Sequence, residues 1–457
     1  MDLTEKIADF VVGTTYEAIP LNVLEAAKTA IVDAIGVILA GSQEDAAKIC
    51  GIVAREQAAK AESTVIGQGF KSSSLLAGLV NGTASHALDY DHSFGNRGQP
   101  TASLVPTVFT LGEALGASGR EILTAYVLGF EVIAKLIEIM PGHSSQRGWH
   151  STGTLGSIGS AVVSTRLFRL NEQQVQMALG IVSSMASGMV ANYASMTKPL
   201  HAGLAAKNGI LAARLALDGF SSGLSILERP KGFFDMFSRD LLMENPSLEK
   251  LGVQFDLVEK GIRIKPYPCG GLTHSSVDAL LEMRVKHEIT PKAIESIRVG
   301  VPQHAYQALA YHQPETGLQG KFSMPYILAR ALIHGKLKIE HFTDEAVWDV
   351  SARNLGEKIS LEHDPEMDDT SGNRRPGRVT IRFKDGRTLS QHVDYPKGGR
   401  QVPLTLEEIR QKFFECAERI VANETAYRVL EYLERLETLS NLEPLCQYLI
   451  GVHNKIV

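Results

Sequence analysis

The chain has 457 residues, a length beyond the usual limit of one hydrophobic core, so we expect two domains. Hydrophobic residues make up 44% and charged residues 21%, which is the balance of an ordinary globular protein. The formal net charge is −5 and the sequence contains no run of arginine or lysine, so nucleic acid is not an expected partner.

The N-terminal stretch MDLTEKIADFVVG carries acidic residues and lacks the basic segment of a signal peptide. The longest apolar run, residues 29–40, is interrupted by Asp33 and Gly36 and is shorter than a membrane span requires. We therefore expect a buried helix there, no membrane as a partner, and a cytoplasmic protein.

Common cofactor and metal motifs are missing from the sequence. The four cysteines stand far apart and form no CxxC pair, and the HExxH, EF-hand, GxGxxG, GxxxxGK[ST] and GxSxG patterns do not occur. Cys269 lies in the Gly-rich stretch YPCGG, but no local signature supports it as a nucleophile. We therefore expect no metal ion and no cofactor, and acid–base chemistry by side chains.

The first 240 residues have the pattern of successive helices. Apolar residues recur at helical spacing in residues 7–12, 23–39, 73–88, 105–115 and 121–139. Ser118 followed by Glu121, and Asn171 followed by Gln174, are typical of helix N-termini. Residues 153–164, 180–191 and 201–216 are rich in small residues. Glycine lowers helix stability, so we expect these helices to pack with their backbones close together.

From about Lys265 onward the pattern changes. Residues 294–302 and 378–396 alternate apolar and polar side chains, which indicates strands, and Asp385-Gly386 predicts a hairpin turn. Residues 322–334 and 343–355 have helical patterns, and residues 362–375 are predicted to form an exposed loop. A capping box at Thr405 then begins a helical tail. The fold is therefore predicted to be mainly α with a smaller α+β domain: residues 1–265 and 404–457 form the helical domain, and residues 266–403 form the α+β insertion.

Three segments combine ionisable residues with a predicted helix terminus. Asp89 and Asp91 follow a helix, Arg147 and His150 precede one, and Lys198 and His201 flank Pro199 at the start of another. Helix N-termini present unpaired N–H groups that suit carboxylates. Each histidine alone is more often a hydrogen-bonded core or surface group, but three such segments together favour a receptor for a multiply charged anion.

Two further segments lie in the predicted second domain. In RIKPYPCGGLTHSS, His274 follows a Gly-Gly turn and Lys265 is nearby. In KFSMPYILARAL, Tyr326 falls early in a helix. For Tyr326 the sequence alone favours a core aromatic residue with its hydroxyl hydrogen-bonded.

The motifs HALDYD, GWHSTGTLGS, MTKPLHAG, YPCGGLTH and KFSMPYILARAL, in this order between Asn81 and Leu332, resemble those of the MmgE/PrpD family. Members of that family include 2-methylcitrate dehydratase, cis-aconitate decarboxylase and iminodisuccinate epimerase. The resemblance implies a helical domain, a smaller α+β lid with the active site between the two, and a homodimer. It also places five residues at positions that line the site: Asp89, His150, Lys198, His274 and Tyr326.

Other positions match the family less closely. Ser93 stands where several members have threonine, and Arg147 and His201 adjoin matched motifs. Gln99 stands where members such as cis-aconitate decarboxylase have a histidine, and His92 replaces the second acid of the usual DYDD pair. A mechanism that depends on the missing histidine is therefore not expected here, and His92 is a candidate to replace it.

The resemblance implies chemistry at a carbon next to a carboxylate of a small di- or tricarboxylate. We assign His150 as proton donor or acceptor and Lys198 as enolate stabiliser; Asp89 would orient a histidine and Tyr326 would donate to the substrate. Gln99, Ser93, His92, His201, Arg147, His274 and Lys265 complete the predicted substrate-binding set. A dehydratase of 2-methylcitrate-like acids is the leading expectation. An epimerase follows, then a decarboxylase weakened by Gln99, and a carboxylate-binding protein without catalysis is the remaining alternative.

Overall fold

The computed structural model describes residues 2–95, 98–140, 147–238, 248–309, 311–369 and 374–451. The chain divides into two compact units, one comprising Met1–Ile262 with Thr405–Val457 and the other Arg263–Leu404. Within the described ranges, every helix is too short or too polar to cross a membrane.

The first unit begins with helices and one short hairpin. Its elements up to residue 262 are α1 (Leu3–Gly13), α2 (Leu21–Gly41), α3 (Asp45–Glu56), β1 (Ser63–Val65), β2 (Phe70–Ser72), α4 (Ser74–Ala87), α5 (Thr101–Leu115), α6 (Gly119–Ile139), α7 (Ser151–Leu167), α8 (Glu172–Ser183), α9 (Thr197–Leu217), α10 (Phe233–Phe237) and α11 (Asp256–Glu259).

The second unit follows in the chain, and the tail then returns to the first. The second unit contains α12 (His274–Lys286), β3 (Ile294–Val301), α13 (Gln303–Ala308), α14 (Gly317–Gly320), α15 (Met324–His334), α16 (Val350–Gly356), β4 (Ile359–His363), β5 (Gly377–Phe383) and β6 (Thr388–Val393). The tail contains α17 (Leu406–Ala417), α18 (Asn423–Glu434) and α19 (Glu443–Leu449).

The predicted helix starts are confirmed. Ser118, Asn171 and Thr405 each accept a hydrogen bond from the backbone three residues on, and the side chain at that third position bonds back in a capping box. These reciprocal bonds satisfy N–H groups that a helix cannot pair internally. They fix where α6, α8 and α17 begin.

Two of the predicted small-residue helices, α7 and α9, make close backbone contacts, as predicted, whereas the helix predicted over residues 180–191 ends at Ser183 with α8. A Cβ on Gly82 of α4 would lie 2.7 Å from Gly203 Cα of α9, and one on Gly209 would lie 2.4 Å from the carbonyl carbon of Ser160 in α7. Only glycine permits such approaches without displacing backbone. The three helices that carry the candidate site are therefore held close together.

The second unit is built on a four-stranded sheet of order β4-β3-β5-β6. β3 pairs in parallel with β4 and antiparallel with β5, which pairs antiparallel with β6 across the predicted Asp385-Gly386 turn. Inward-facing Ile297, Val299, Val379 and Ile381 pack with residues of α12 and α15 in one hydrophobic core. The strand β4 was not predicted, since part of it was assigned to the exposed loop 362–375; residues 370–373 of that loop lie outside the described residues.

Candidate active site

Helix termini bring the predicted segments of the first unit together. His150 is the N-cap residue of α7, and Asp89 and Asp91 follow the end of α4. α9 begins at Thr197, so Lys198 is its second residue and His201 its fifth. The predicted helix start around Pro199 is confirmed, with Pro199 as the third helical residue.

His86, in the last turn of α4, is held by a carboxylate. Its Nδ1 atom lies 3.0 Å from both carboxylate oxygens of Asp91, and both residues are buried. An imidazole that donates Nδ1–H to a carboxylate leaves a lone pair on Nε2. The Nε2 atom of His86 is buried and has no hydrogen-bond partner among the described residues.

His150 lies at the centre of a group of aromatic rings. It stacks on His86 with ring centroids 5.4 Å apart and meets the edges of Tyr193 and His201 at 5.1 and 5.2 Å. Its Nδ1 atom is 3.0 Å from Nδ1 of His201, so one of these nitrogens carries a hydrogen and donates a hydrogen bond to the other. Its Nε2 atom is buried and, within the described ranges, has no hydrogen-bond partner.

Lys198 and Asp89 form a buried ion pair beside these histidines. Lys198 Nζ lies 3.2 Å from Asp89 Oδ1, and the two residues are 7% and 5% exposed. Lys198 Nζ also lies 5.5 Å from the ring centre of Tyr193. The contact corrects the predicted role of Asp89: it is Asp91 that orients a histidine, whereas Asp89 holds the lysine.

The three histidines are kept neutral near pH 7. Burial lowers the pKa of His86, of His150 and of His201, the last to about 4. The positive charge of Lys198 lowers each pKa further, and in His86 the carboxylate of Asp91 opposes the shift. Neutral imidazoles are proton acceptors, so the cluster can remove a proton from a bound molecule.

The segment before α7 is paired to the segment before α9. Trp149 forms an antiparallel bridge with Met189, and the N–H of His150 donates to the carbonyl of Gly188 at 3.0 Å. Gly188 has φ +125°, and a Cβ there would lie 3.2 Å from His201 Cγ and 3.5 Å from His150 Cβ. This glycine therefore allows the two histidines to meet.

Gln99 is fixed against the first turn of α7. The hydroxyl of Thr152 donates to Gln99 Oε1 at 2.9 Å and accepts from the Gln99 N–H at 3.3 Å. Ser93 is buried, and its hydroxyl has no hydrogen-bond partner in the described part of the chain. Arg147 is exposed, three residues before His150.

His92 belongs to a separate buried network. Its Nδ1 lies 2.9 Å from Asp33 Oδ2, and its Nε2 lies 2.6 Å from Thr101 Oγ1. Lys412 from α17 lies 2.6 Å from Asp33 Oδ1 and donates to the carbonyl of Tyr90. Both ring nitrogens are thus engaged in the core. This corrects the assignment of His92 as a substrate-binding substitute for the missing family histidine.

Three predicted residues belong to the second unit. His274 is the first residue of α12, and Lys265 precedes it in the loop; both are buried. Tyr326 is 2% exposed, and its hydroxyl donates to the carbonyl of His341 and accepts from Arg330 Nε at 2.9 Å. These contacts are those of a core aromatic with its hydroxyl hydrogen-bonded, as the sequence alone favours; donation by Tyr326 to the substrate stays a prediction.

The sequence-based assignment missed His86. The residue lies inside the HALDYD motif, where its spacing from Asp91 does not reveal the pairing, because the chain bends sharply at Asp89 with φ +53°. Within the described residues, no group of three or more His, Cys, Asp or Glu is arranged to hold a metal ion.

A helical unit joined to a smaller α+β unit, with a buried His–Lys–Asp cluster at the termini of three helices, defines the structural class of this chain. Residues 5–244 match the model of the MmgE/PrpD N-terminal domain, and residues 267–438 match that of the MmgE/PrpD C-terminal domain. The chain belongs to the MmgE/PrpD family, which confirms the resemblance inferred from its motifs.

Characterised relatives align over nearly the whole chain. Cis-aconitate decarboxylase of Mus musculus is 27% identical and that of Homo sapiens 26% identical; each alignment covers 98% of this chain, and 93% and 95% of the relative. The cis-aconitate decarboxylase-like protein oryM of Aspergillus oryzae is 28% identical, with 98% of both chains covered. The mouse and human relatives are decarboxylases, which are lyases.

Proposed function

We propose that this protein is a cofactor-independent lyase that acts on a small di- or tricarboxylate, with dehydration of a 2-methylcitrate-like acid as the leading reaction. The observation that carries the proposal is the pair of buried imidazole Nε2 atoms, on His86 and His150, beside the Lys198–Asp89 ion pair. Neutral bases next to a fixed cation are what removal of a proton alpha to a carboxylate requires.

The first step is removal of the carbon-bound proton. His150 accepts it on Nε2, and the bond between its Nδ1 and His201 holds the ring while the imidazolium forms. A low pKa makes imidazole a weaker base in the ground state, but negative charge that develops on the substrate favours the imidazolium in the transition state. Positioned acid–base groups of this kind contribute about 10²- to 10⁴-fold to rate.

Lys198 stabilises the negative charge that develops on the carboxylate as the proton leaves. Its ammonium is held by Asp89 at 3.2 Å and is almost fully buried, so little rearrangement is needed during the reaction. A fixed cation in a water-poor environment interacts with developing charge more strongly than one in bulk water.

Elimination completes the reaction. The electron pair of the carbanion forms the carbon–carbon double bond, and the bond from the adjacent carbon to its hydroxyl group breaks. The imidazolium protonates the departing hydroxide, so water leaves and His150 returns to its neutral form. No net proton and no redox equivalent is consumed.

Decarboxylation is the second candidate, and the activity of the mouse and human relatives favours it. Loss of CO₂ would leave the same kind of carbanion, which then takes a proton on carbon. Gln99 opposes this candidate because an amide cannot deliver a proton near neutral pH. Epimerisation needs only removal and return of the proton and stays open as a third outcome.

A proton NMR time course in D₂O tests the proposal, using the purified protein with 2-methylcitrate, citrate, cis-aconitate and iminodisuccinate. Loss of a C–H signal with formation of an alkene supports the dehydratase. Release of CO₂ identifies a decarboxylase, and deuterium exchange without an alkene identifies an epimerase. Binding of these acids without turnover would contradict the enzyme proposal and favour a carboxylate-binding protein.

We also propose a homodimer, which the family resemblance implies, and a cytoplasmic location. One chain has a mass of 49.7 kDa, so light scattering on the purified protein should give about twice that value for a dimer.

A further inference from the structure

The loop that follows α4 carries the two acids of the candidate site. Asp89 pairs with Lys198, and Asp91 pairs with His86. The residues at positions 90 and 92 alternate with these acids along the chain and contact a different set of buried side chains in the first unit. We call residues 89–92 the acid loop, because the position of its two carboxylates depends on how this short segment is held.

Lys412, in α17 of the C-terminal tail, makes two direct contacts with the acid loop. Its Nζ atom donates to the carbonyl of Tyr90 at 2.9 Å and lies 4.0 Å from the centre of the Tyr90 ring. Both residues are buried. A charged donor forms a stronger hydrogen bond than a neutral one, and an ammonium over an aromatic face is attracted to it. One ammonium therefore holds both the backbone and the ring of the residue between the two acids.

Asp33, in α2, links Lys412 to the far end of the acid loop. Its Oδ1 atom lies 2.6 Å from Lys412 Nζ, and its Oδ2 atom lies 2.9 Å from Nδ1 of His92. Burial raises the pKa of Asp33, but Lys412 and His92 together lower it below its ordinary value, so the carboxylate is ionised near pH 7. The other ring nitrogen of His92 lies 2.6 Å from Thr101 Oγ1. Position 92 is thus held through both nitrogens of its ring.

Close packing of α17 on α2 places Lys412 beside Asp33. A Cβ on Gly36 would lie 3.2 Å from Cα of Phe413, the residue after Lys412. Gly36 lies three residues after Asp33 and therefore on the same face of α2. Phe413 is buried in this contact. The location of the ammonium is therefore set by the packing of two helices and not by a flexible surface segment.

The backbone of the acid loop needs external support at Asp89. This residue has φ +53°, in the left-handed region that residues other than glycine adopt at a cost. Such a conformation persists where the surrounding structure holds it. The bond from Lys412 reaches the next residue along the chain, Tyr90. Without this bond the loop could relax, and both carboxylates would shift from the groups that they hold.

We propose that Lys412 is a positioning residue of the candidate active site, and that it acts by holding Tyr90 between the two carboxylates, Asp89 and Asp91. The C-terminal tail thereby contributes to a site whose other members all lie before residue 220. A displacement of about 1 Å at a catalytic group can lower the rate by about 10²-fold. The effect of Lys412 on the rate rests on the proposed function, whereas the anchoring of the acid loop does not.

Comparison of Lys412→Met with Lys28→Met tests the proposal. Lys28 is also buried and also joins α2 to the tail, since it lies 3.2 Å from Glu437 Oε1 and 3.3 Å from the carbonyl of Glu434. Steady-state kinetics should use the acid that is turned over fastest. Lys412→Met should lower kcat by about 10- to 10²-fold and change KM less than about threefold. Lys28→Met should keep the wild-type kcat.

A double variant covers the case in which Lys412→Met does not fold. Removal of the lysine alone takes the cation away from the buried carboxylate of Asp33, whereas Asp33→Asn combined with Lys412→Met leaves no such charge. The amide at position 33 can still accept a hydrogen bond from His92. The double variant should therefore fold and show the same loss of kcat, because it lacks the ammonium that holds Tyr90.

Hydrogen exchange of the peptide spanning residues 88–93 measures the anchor without any turnover. Exchange there should be at least about tenfold faster in Lys412→Met or in the double variant than in wild type, which is the loss expected for one charged hydrogen bond. Lys28→Met should exchange like wild type in this peptide. Wild-type exchange in both folded Lys412 variants would overturn the proposal, as would an equal loss of kcat in Lys28→Met.

The positioning role and the lyase proposal fail separately. Faster exchange of the acid loop, in a protein that turns over none of the acids tested, would sink the lyase proposal and leave the anchor. Turnover with a wild-type kcat in a folded Lys412→Met protein would sink the positioning role and leave the lyase.

Discussion

His86 Nδ1 lies 3.0 Å from both carboxylate oxygens of Asp91, and the rings of His86 and His150 are stacked with their centroids 5.4 Å apart. The carboxylate fixes the tautomer of His86, so its Nε2 presents a lone pair next to the proposed base. Two imidazoles thus lie side by side in the first unit, each with a buried Nε2 atom that has no hydrogen-bond partner in the described part of the chain. His86 is therefore a second acid–base group of the site. It lies at a different position from residue 99, where other members of the family have a histidine.

Asp91→Asn should lower kcat by about 10²- to 10⁴-fold and change KM only a few-fold, because the amide no longer fixes the reactive tautomer of His86. Steady-state kinetics on the best substrate of the panel checks this. Asp368→Asn is the control, since Asp368 pairs with His363 at 2.9 Å in an exposed position. A wild-type kcat in Asp91→Asn would remove His86 from the mechanism.

Lys198→Ala should reduce kcat/KM by at least about 10²-fold, since it deletes the cation aimed at the developing enolate. Lys207→Ala, on the same helix and half-buried, should retain wild-type activity. Thermal unfolding of both variants separates loss of catalysis from loss of folding. If Lys198→Ala stays folded and keeps near-wild-type activity, its role as enolate stabiliser is wrong.

Much of the fold could be predicted from the sequence because its signals are local. Three kinds of signal depend on neighbouring residues alone. They are the capping residues before α6, α8 and α17, the alternation along β5 and β6, and the turn at Gly386. The hairpin β1–β2 was missed because three-residue strands are too short to show alternation. β4 was missed because its pairing with β3 is parallel and distant in sequence.

The site was predicted in part for the same reason. His150 and Lys198 carry helix-start signals, so local patterns could select them. The pair His86–Asp91 depends on the bend of the chain at Asp89, which has φ +53°. The contacts Asp89–Lys198 and His92–Asp33 are set by packing between distant segments. Sequence spacing could not show that His92 faces a core network while His86, six residues earlier, stacks on His150.

Gln99→His should raise the rate of CO₂ release from cis-aconitate relative to dehydration, because it restores a proton donor where decarboxylating relatives are expected to have one. Headspace CO₂ and alkene formation should be measured in the same reaction. Gln99→Asn, which keeps an amide, is the control. An unchanged ratio of products in Gln99→His would show that position 99 does not select the reaction.

Gly188→Ala should destabilise the protein by more than about 1 kcal/mol and lower kcat, since alanine is strained at φ +125° and its Cβ would press on His201. Gly219→Ala is the matched control: Gly219 also has positive φ, but a Cβ there meets nothing within 4 Å. Chemical denaturation should measure the stability of both variants. Steady-state kinetics should show a loss of activity only in Gly188→Ala. Equal activity in both would mean that the spacing of the two histidines tolerates adjustment.

The stability of the protein should depend on His201 below pH 6.5. Its pKa is about 4 in the folded protein against an ordinary 6.5, so its contribution is complete above pH 6.5 and is lost as the pH falls toward 4. One such histidine costs up to about 1.4 kcal/mol of unfolding free energy per pH unit in that window.

The pH dependence of stability in wild type and in His201→Asn isolates the contribution of His201. Glu131, whose pKa burial raises to about 7, contributes with the opposite sign between its ordinary value and 7. Denaturation midpoints of wild type and His201→Asn between pH 4.5 and 7 should therefore be compared, and the variant should show the smaller loss of stability on acidification. Parallel curves would show that His201 is protonated equally in the folded and unfolded protein.

Removal by His150 of a proton from a carbon next to a substrate carboxylate is the step on which the proposed mechanism depends. Its most direct test is the rate of C–H loss in D₂O for wild type and His150→Asn, followed by proton NMR with 2-methylcitrate and cis-aconitate at equal concentrations of folded protein. We predict turnover by the wild type and a rate at least about 10²-fold lower in the variant. Equal rates in the two proteins would contradict the claim.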